Sequence, residues 1–529
     1  MRGTHHTRRI VLELGLKLRI AKGTSEVIRR FPNRVIDEHT APSDASMELR
    51  RNETGLSLHY RSVSAPGAKK FFDLFRINVE LVDQDDGPPR VVHLLEDRDV
   101  RVHFNQLWHV PPLLYASLFG CVNHNVCRTV RITNSIFAMA SQNHSNERTA
   151  LIVGAGIGGL AAGIALRRAG WRVKVFERAA TARELGFALL LAPNAISALR
   201  HLGLADIVIA GGSRVTGAEM RRPDGTLLRI FDATNVVQLL PEPPVVVLRP
   251  ILHGALLEAV GSDSLVLGKG ALAFEHRAAG VLLKLTDGTT VHGNVLIGAD
   301  GVGSIVRRVL HPDEPPLRPI GLFALRGVVK GNQQLLGRLS GLQYFGRGTE
   351  AGVARAGEDS IYWYLSMPAD YIGSGPVEPM QVAHRVTADF EERFQAIVRA
   401  TRPEDIRLDE LFDRDPIRVW GERCVTLLGD AAHPMLPHAG QGAAQALEDA
   451  VTLGHTLEFA ENNEAALRHY EQFRFARTQR VVRTARRNAR IASVRSAIGC
   501  WVRDLGIRLV PSAIIAKSYV AFGKAPEPF

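Results

Sequence analysis

Gly154-Ala155-Gly156-Ile157-Gly158-Gly159 sets three glycines in the pattern G-x-G-x-x-G, and an acid, Glu177, follows 23 positions after the first. Such a set can hold a diphosphate. Gly154 permits a tight turn, Gly156 lets the main chain approach phosphate oxygens, and Gly159 lets a helix pack on a strand. Glu177 then stands where a carboxylate accepts hydrogen bonds from ribose hydroxyls. The plain alternative is a glycine-rich turn with a surface glutamate. Two further acids have similar surroundings. Asp300-Gly301 closes the run Val295-Leu296-Ile297-Gly298-Ala299, and Asp430 opens the stretch GDAAHPMLPHAGQGAAQALEDAVTLG, Gly429 to Gly454. In that stretch a helix starting at Gly440 and Gly442 offers backbone N–H groups that no side chain shields, a setting for an electron-rich ligand.

Each of these groups needs a strand to deliver it. Ala150–Val153, Val173–Phe176, Val295–Ile297 and Cys424–Leu428 are short apolar runs suited to strands buried on both faces of a parallel sheet. Gly159 to Ala169 and Ala443 to Leu457 have helix composition. Ligands of open α/β sheets bind at the carboxyl ends of the strands, where all the singled-out acids fall. Residues 318 to 367 carry short alternating runs such as Ser360-Ile361-Tyr362-Trp363-Tyr364-Leu365, which predict an antiparallel sheet. The block 227 to 248 is β-rich and broken by Pro241, Pro243 and Pro244. Helices return near 382 to 401 and dominate after 443.

With 529 residues, 46% apolar and 22% charged, the chain can form two or three domains with buried cores. No run supplies about 20 uninterrupted apolar residues, so no transmembrane span is expected, and the location expected is cytoplasmic. The net charge of +11 and pI near 9.7 come without a nucleic-acid motif. Much of the excess lies in RFARTQRVVRTARRNAR, Arg474 to Arg490, read as the solvated face of a helix. Cys121, Cys127, Cys424 and Cys500 suit reduced thiols rather than a disulfide framework or a zinc site, and no metal is expected.

Residues 1–146 lack the strand-helix rhythm of the rest and carry no motif with attached chemistry. They read as an N-terminal extension without a recognisable domain, and one expectation is that translation starts at Met139.

Taken together and in this order, the three motifs resemble the flavoprotein monooxygenases of the para-hydroxybenzoate hydroxylase type, from about Thr149 to the C-terminus. The resemblance implies an α/β fold: a discontinuous, Rossmann-like FAD-binding domain (147–213, 248–316 and 418–455), an interleaved β-sheet substrate domain (214–247 and 317–417) and a C-terminal helical segment (456–529). It implies FAD held through Gly154, Gly156, Gly159 and Glu177, with Asp300-Gly301 near FAD and the nicotinamide, and Asp430 on the ribityl chain. Pro437 would run along the flavin ring, Gly440 and Gly442 would face its pyrimidine edge, and Arg249 would reach the cofactor. Arg249 also suits an ordinary helix-start cation. One departure is Gly186-Phe187-Ala188-Leu189, where relatives usually have Gly-Ala-Gly-Ile.

The implied reaction uses NADPH or NADH to reduce FAD, adds O2 at flavin C4a, and passes one oxygen atom from the hydroperoxide to an electron-rich aromatic substrate. Alkene epoxidation, a flavin dehydrogenase and a non-enzymatic flavin-binding regulator are the alternatives. For the substrate side, Arg326 could pair a carboxylate. Tyr344, Tyr362 and Tyr364 are also candidates, although strand aromatics are more often core residues than substrate contacts. His438 could move a phenolic proton, while His433 suits a loop-shaping role. Oligomeric state is left open.

Overall fold

The structure is a computed structural model. It describes the strands Thr7–Val11, Lys17–Ala21, Ala45–Asn52, Gly55–Ser62, Arg76–Leu81 and Val100–Asn105, and then residues 148–181, 187–232, 240, 242–373, 377–511 and 520–525. Met139, Cys121, Cys127 and Gly186 lie outside the described residues. Two compact units are distinguished, Met1–Ser145 and Asn146–Phe529. In the first, the six strands form one sheet in chain order.

The second unit contains a five-stranded sheet in the order Leu265–Leu267, Arg172–Glu177, Thr149–Val153, Val295–Gly298, Val425–Leu427. Every pairing in it is parallel. The strands are mostly apolar because helices and the antiparallel sheet Ala271–Arg277, Gly280–Leu285 and Thr290–Gly293 pack against them in one core. The helix Ile157–Arg168 follows the glycine turn, and Gly442–Glu458 packs beside it. Leu151, Ile152, Leu160, Leu296, Leu427 and Leu447 are fully buried in one continuous core.

A seven-stranded sheet is built from Leu227–Asp232, Gly217–Arg221, Gly341–Phe345, Glu350–Arg355, Ser360–Pro368, Arg318–Lys330 and Ile406–Asp413, in that spatial order. Side chains alternate across it. On one face Ile361, Trp363, Leu365 and Met367 enter a core with Phe394 and Ile397 of the helix Glu392–Arg399. The opposite face carries Tyr362, Tyr364 and Ser366.

That second face turns toward the nucleotide sheet's neighbours. Ala354 and Tyr362 pack with Ala188, Val246 and Leu248. Leu322 and Ala324 pack with Leu436, Ala485 and Ala489. The 30-residue helix Asn463–Ala492 supplies the last two. It corrects the expectation of a solvated arginine face. Arg480, Arg483, Arg487 and Arg490 are exposed, but Arg474 is wholly buried and Arg477 and Arg486 are partly so. Arginines at positions 474, 477 and 486 point inward because buried or half-buried carboxylates await them there.

Candidate active site

The parallel sheet brings the sequence-selected residues to one edge. Glu177, Gly154, Asp300 and Gly429-Asp430 all follow the carboxyl ends of adjacent strands. Contacts between the motifs are close enough to exclude side chains. A Cβ on Gly154, whose φ is +102°, would lie 2.9 Å from Asp300 Cα. On Gly159 it would run into the Gly154 carbonyl, and on Gly158 it would lie 2.8 Å from Leu428 Cδ2 and 3.3 Å from Ala446 Cβ. The first motif therefore touches both the second and the third.

Gly156 is different. It caps the helix Ile157–Arg168 in extended conformation, and a Cβ there would meet nothing within 4 Å. Its glycine is not required by the protein's own packing, which is what a backbone surface kept clear for a ligand looks like. Glu177 bridges the turn: one carboxylate oxygen accepts from the Ala155 N–H at 3.0 Å, the other from the Ala179 N–H at 3.0 Å. Beneath, buried His253 places Nε2 2.8 Å from the Ala155 carbonyl. Sequence reading missed His253, which sits in a helix (Arg249–Val260) without any motif.

Asp300 turns toward its own helix. It accepts from the Ser304 hydroxyl and from the Ile305 N–H at 2.7 Å, capping Ile305–Leu310. Burial pushes its carboxyl above the ordinary range and these donors oppose the push. Gly301 has φ +77° and room on every side.

Asp430 keeps an exposed surface although protein surrounds it closely, as for a group on the wall of a crevice. That enclosure raises its carboxyl, against the positive charge of His433 and Arg249. A Cβ on Gly442, the first residue of the helix Gly442–Glu458, would lie 4.0 Å from Asp430 Oδ1. Gly440 is exposed at φ +61°, ending the turn Pro437–Ala439, and Pro437 is exposed as well. The Arg249 N–H donates to the Phe187 carbonyl at 3.0 Å, fixing the start of its helix against the strand Ala188–Leu191.

Under this loop lies a buried polar network that the sequence did not disclose. His433 Nε2 donates to Asp449 Oδ2 at 2.6 Å, and Arg474 donates to Asp449 at 2.6 Å and Glu448 at 2.5 Å. Asn194 joins Glu448 at 2.6 Å and Gln441 at 3.0 Å. The expected loop-shaping role of His433 has this bond as its physical basis.

His438 lies between the loop and the sheet. Its Nε2 is 3.2 Å from Ser366 Oγ and 3.9 Å from Glu350 Oε2. Burial lowers its pKa to about 4. Arg326 has a partner in Asp409 at 3.2 Å. Tyr344 belongs to the opposite, core face, where its hydroxyl donates to Glu391 at 2.6 Å.

Residues 147–485 match the family model described as "FAD binding domain". The chain belongs to the FAD-dependent monooxygenases built on this domain. Among these monooxygenases, it is 34% identical over 364 residues to the aurachin C monooxygenase/isomerase of Stigmatella aurantiaca, covering 69% of this chain and 94% of that protein. It is 30% identical over 349 residues to the FAD-dependent urate hydroxylase of Klebsiella pneumoniae, covering 65% and 90%. The crystal structure of Klebsiella pneumoniae HpxO with FAD and uric acid superposes with a TM-score of 0.67 at 27% identity, over 72% of this chain and 97% of that one. FAD is thus the cofactor of this family and of this fold.

Among the described residues, no helix is long and apolar enough to cross a membrane.

Proposed function

We propose that the chain is an NAD(P)H-consuming hydroxylase that inserts one oxygen atom of O2 into an electron-rich aromatic or heteroaromatic ring. The observation that carries this reading is the convergence of Gly156, Glu177 and Asp430 on one sheet edge, beside a polar sheet face. The glycine turn would hold the FAD diphosphate, Glu177 the ribose, and Asp430 the ribityl hydroxyls. Gly440, Gly442 and the helix N-terminus behind them would face the part of the flavin where negative charge gathers on reduction, a favourable arrangement for N–H dipoles. Bound FAD supplies the redox chemistry, taking two electrons from the nicotinamide and activating O2.

This chain's own residues orient and enclose. Pro437 and the strand Val245–Leu248 would line the space between flavin and sheet, with Arg249 reaching in from the helix start. Asp300 and Gly301 shape the turn that the Gly154 backbone packs on. His438, held neutral by burial, is suited to accept a hydrogen bond rather than to carry charge. Arg326 is a positioning residue in this reading, since Asp409 already neutralises it. We further propose the discontinuous domain division given above, and cytoplasmic residence. Relatives named as urate and 3-hydroxybenzoate hydroxylases support the substrate class.

The test is consumption of NADPH or NADH by the purified FAD-loaded chain across a panel of hydroxylated rings, with labelled O2. One labelled atom in an aromatic product is expected. Nicotinamide oxidation unaffected by every ring, with no labelled product, would contradict the reading.

A further inference from the structure

The face of the seven-stranded sheet that turns toward the flavin loop bears a buried acid that no motif marks. Glu350 pairs in register with Ser366, and Gly352 pairs with Tyr364. A Cβ on Gly352 would lie 2.7 Å from Tyr364 Cζ and 2.9 Å from its hydroxyl, so the glycine lets the tyrosine ring lie across the strand. The ring then reaches Glu350, to which its hydroxyl donates. Gln343 Nε2 donates to Glu350 Oε1 at 2.7 Å. His438 closes the group from the loop side, with its Nδ1 buried and lacking a hydrogen-bond partner among the described residues.

Resting on the hydroxylase reading above, we propose that Glu350, flanked by Tyr364 and His438, is the polar end of the substrate cavity. It would accept a hydrogen bond, and in turnover a proton, from an N–H or O–H of a ring that bears no carboxylate. Three observations point this way. The acid is 7% exposed and yet lies 3.9 Å from His438, beside the loop assigned to the flavin. Its hydrogen bonds come from neutral donors only, Gln343 and Tyr364, and no ion pair neutralises it at contact distance among the described residues. Two cations of this face, Arg326 and Arg407, pair in register and both bind Asp409.

Burial pushes the Glu350 carboxyl up to about 7, against the opposing pull of Gln343, Tyr364 and, at longer range, Arg503. The groups facing it are Gln343 from one strand, Tyr364 and Ser366 from another, His438 from the loop, and Arg503 of the helix Ala497–Leu509. Near neutrality it can therefore both take and return a proton. In that step the substrate O–H or N–H bond breaks and the proton goes to a Glu350 oxygen. The electron pair stays on the substrate heteroatom and conjugates into the ring, making the ring carbon a better nucleophile toward the oxygen that the flavin chemistry delivers. A substrate carboxylate in the same place would meet a like charge and lose affinity.

The FAD-loaded full chain is titrated with two matched pairs, 3-hydroxybenzamide against 3-hydroxybenzoate and 2,6-dihydroxypyridine against its 4-carboxylate, with binding read from the flavin spectrum. At about pH 8.5, tighter binding of the neutral member by roughly tenfold or more is expected. Glu350→Gln should bring the ratio to within about twofold, and Glu350→Asp should retain part of it. With any bound ring that turns over, kcat should fall as pH drops through about 7, and Glu350→Gln should lower kcat by roughly 10²-fold and abolish that inflection. Equal or tighter binding of the carboxylates, an unchanged ratio in Glu350→Gln, or no binding of either neutral ring overturns the proposal while flavin content stays normal. A chain that takes up no FAD overturns the hydroxylase reading itself.

Discussion

Asp449 receives His433 Nε2 and Arg474 Nε at the same 2.6 Å, one on each carboxylate oxygen, with all three side chains buried. This is the tie between the loop 429–441 and the long helix Asn463–Ala492. Burial by itself would raise the Asp449 carboxyl, but His433 and Arg474 outweigh it and hold it at about 2. A carboxyl depressed in the folded state stabilises above its unfolded pKa, and that contribution is lost as pH falls through the folded one. Unfolding free energy should therefore drop between about pH 4 and pH 2 by roughly 2 kcal/mol from this group. Asp449→Asn leaves Arg474 short of a charge partner and should cost about 3 to 5 kcal/mol by urea unfolding at neutral pH. The same variant should flatten the acid limb of the wild type.

Glu350 makes the opposite prediction. Its folded pKa is raised to about 7, so the folded state favours the neutral acid, and stability declines as pH rises from about 4.5 to about 7. Glu350→Gln should raise unfolding free energy by roughly 3 kcal/mol above pH 7 and change it little below pH 4.5. Equal effects at both ends would show that folding does not shift the Glu350 carboxyl.

Two glycines of one motif should behave differently. Gly154→Ala must place a Cβ against Ala299 and Asp300 at positive φ, so a loss of at least about 2 kcal/mol in fold stability is expected. Gly156→Ala meets no protein atom and should fold within about 0.5 kcal/mol of wild type. Its FAD affinity should nonetheless fall by roughly tenfold or more, because backbone approach to the diphosphate is lost. Parallel thermal melts and flavin titrations separate the two.

Asp430→Ala removes an exposed carboxylate at the mouth of the helix Gly442–Glu458. With Asp430 proposed to hold the ribityl hydroxyls, its loss should weaken FAD retention by roughly 10- to 100-fold. The apo fold should move by no more than about 0.5 kcal/mol, measured on flavin-stripped protein.

What the sequence disclosed, and what it hid, follows from the range of each interaction. Thr149–Val153, Arg172–Glu177, Val295–Gly298 and Val425–Leu427 were legible because strands buried on both faces are written as contiguous apolar runs. Gly154 was legible because the motif demands a tight turn there, whereas Gly440, read as a helix start, closes the turn Pro437–Ala439 at positive φ and the helix begins at Gly442. Asp449 and Arg474 lie 25 positions apart, on two helices, and only packing reveals that three arginines of a seven-arginine stretch turn inward. The Arg326–Asp409 pair depends on strand register, which no local pattern states. Glu350 left one faint signal. Its strand reads Glu350-x-Gly352-x-Ala354 on one face, small residues set opposite Tyr362 and Tyr364.

The central claim is that three motifs, set at the carboxyl ends of four adjacent strands, enclose a single FAD. Visible absorption and released-nucleotide stoichiometry of the purified chain, before and after incubation with FAD, test it most directly. A yellow protein carrying about one FAD per chain, with Gly156→Ala and Asp430→Ala folded but depleted, is the expected result. A colourless chain that refuses FAD and takes up only a nicotinamide nucleotide would contradict it.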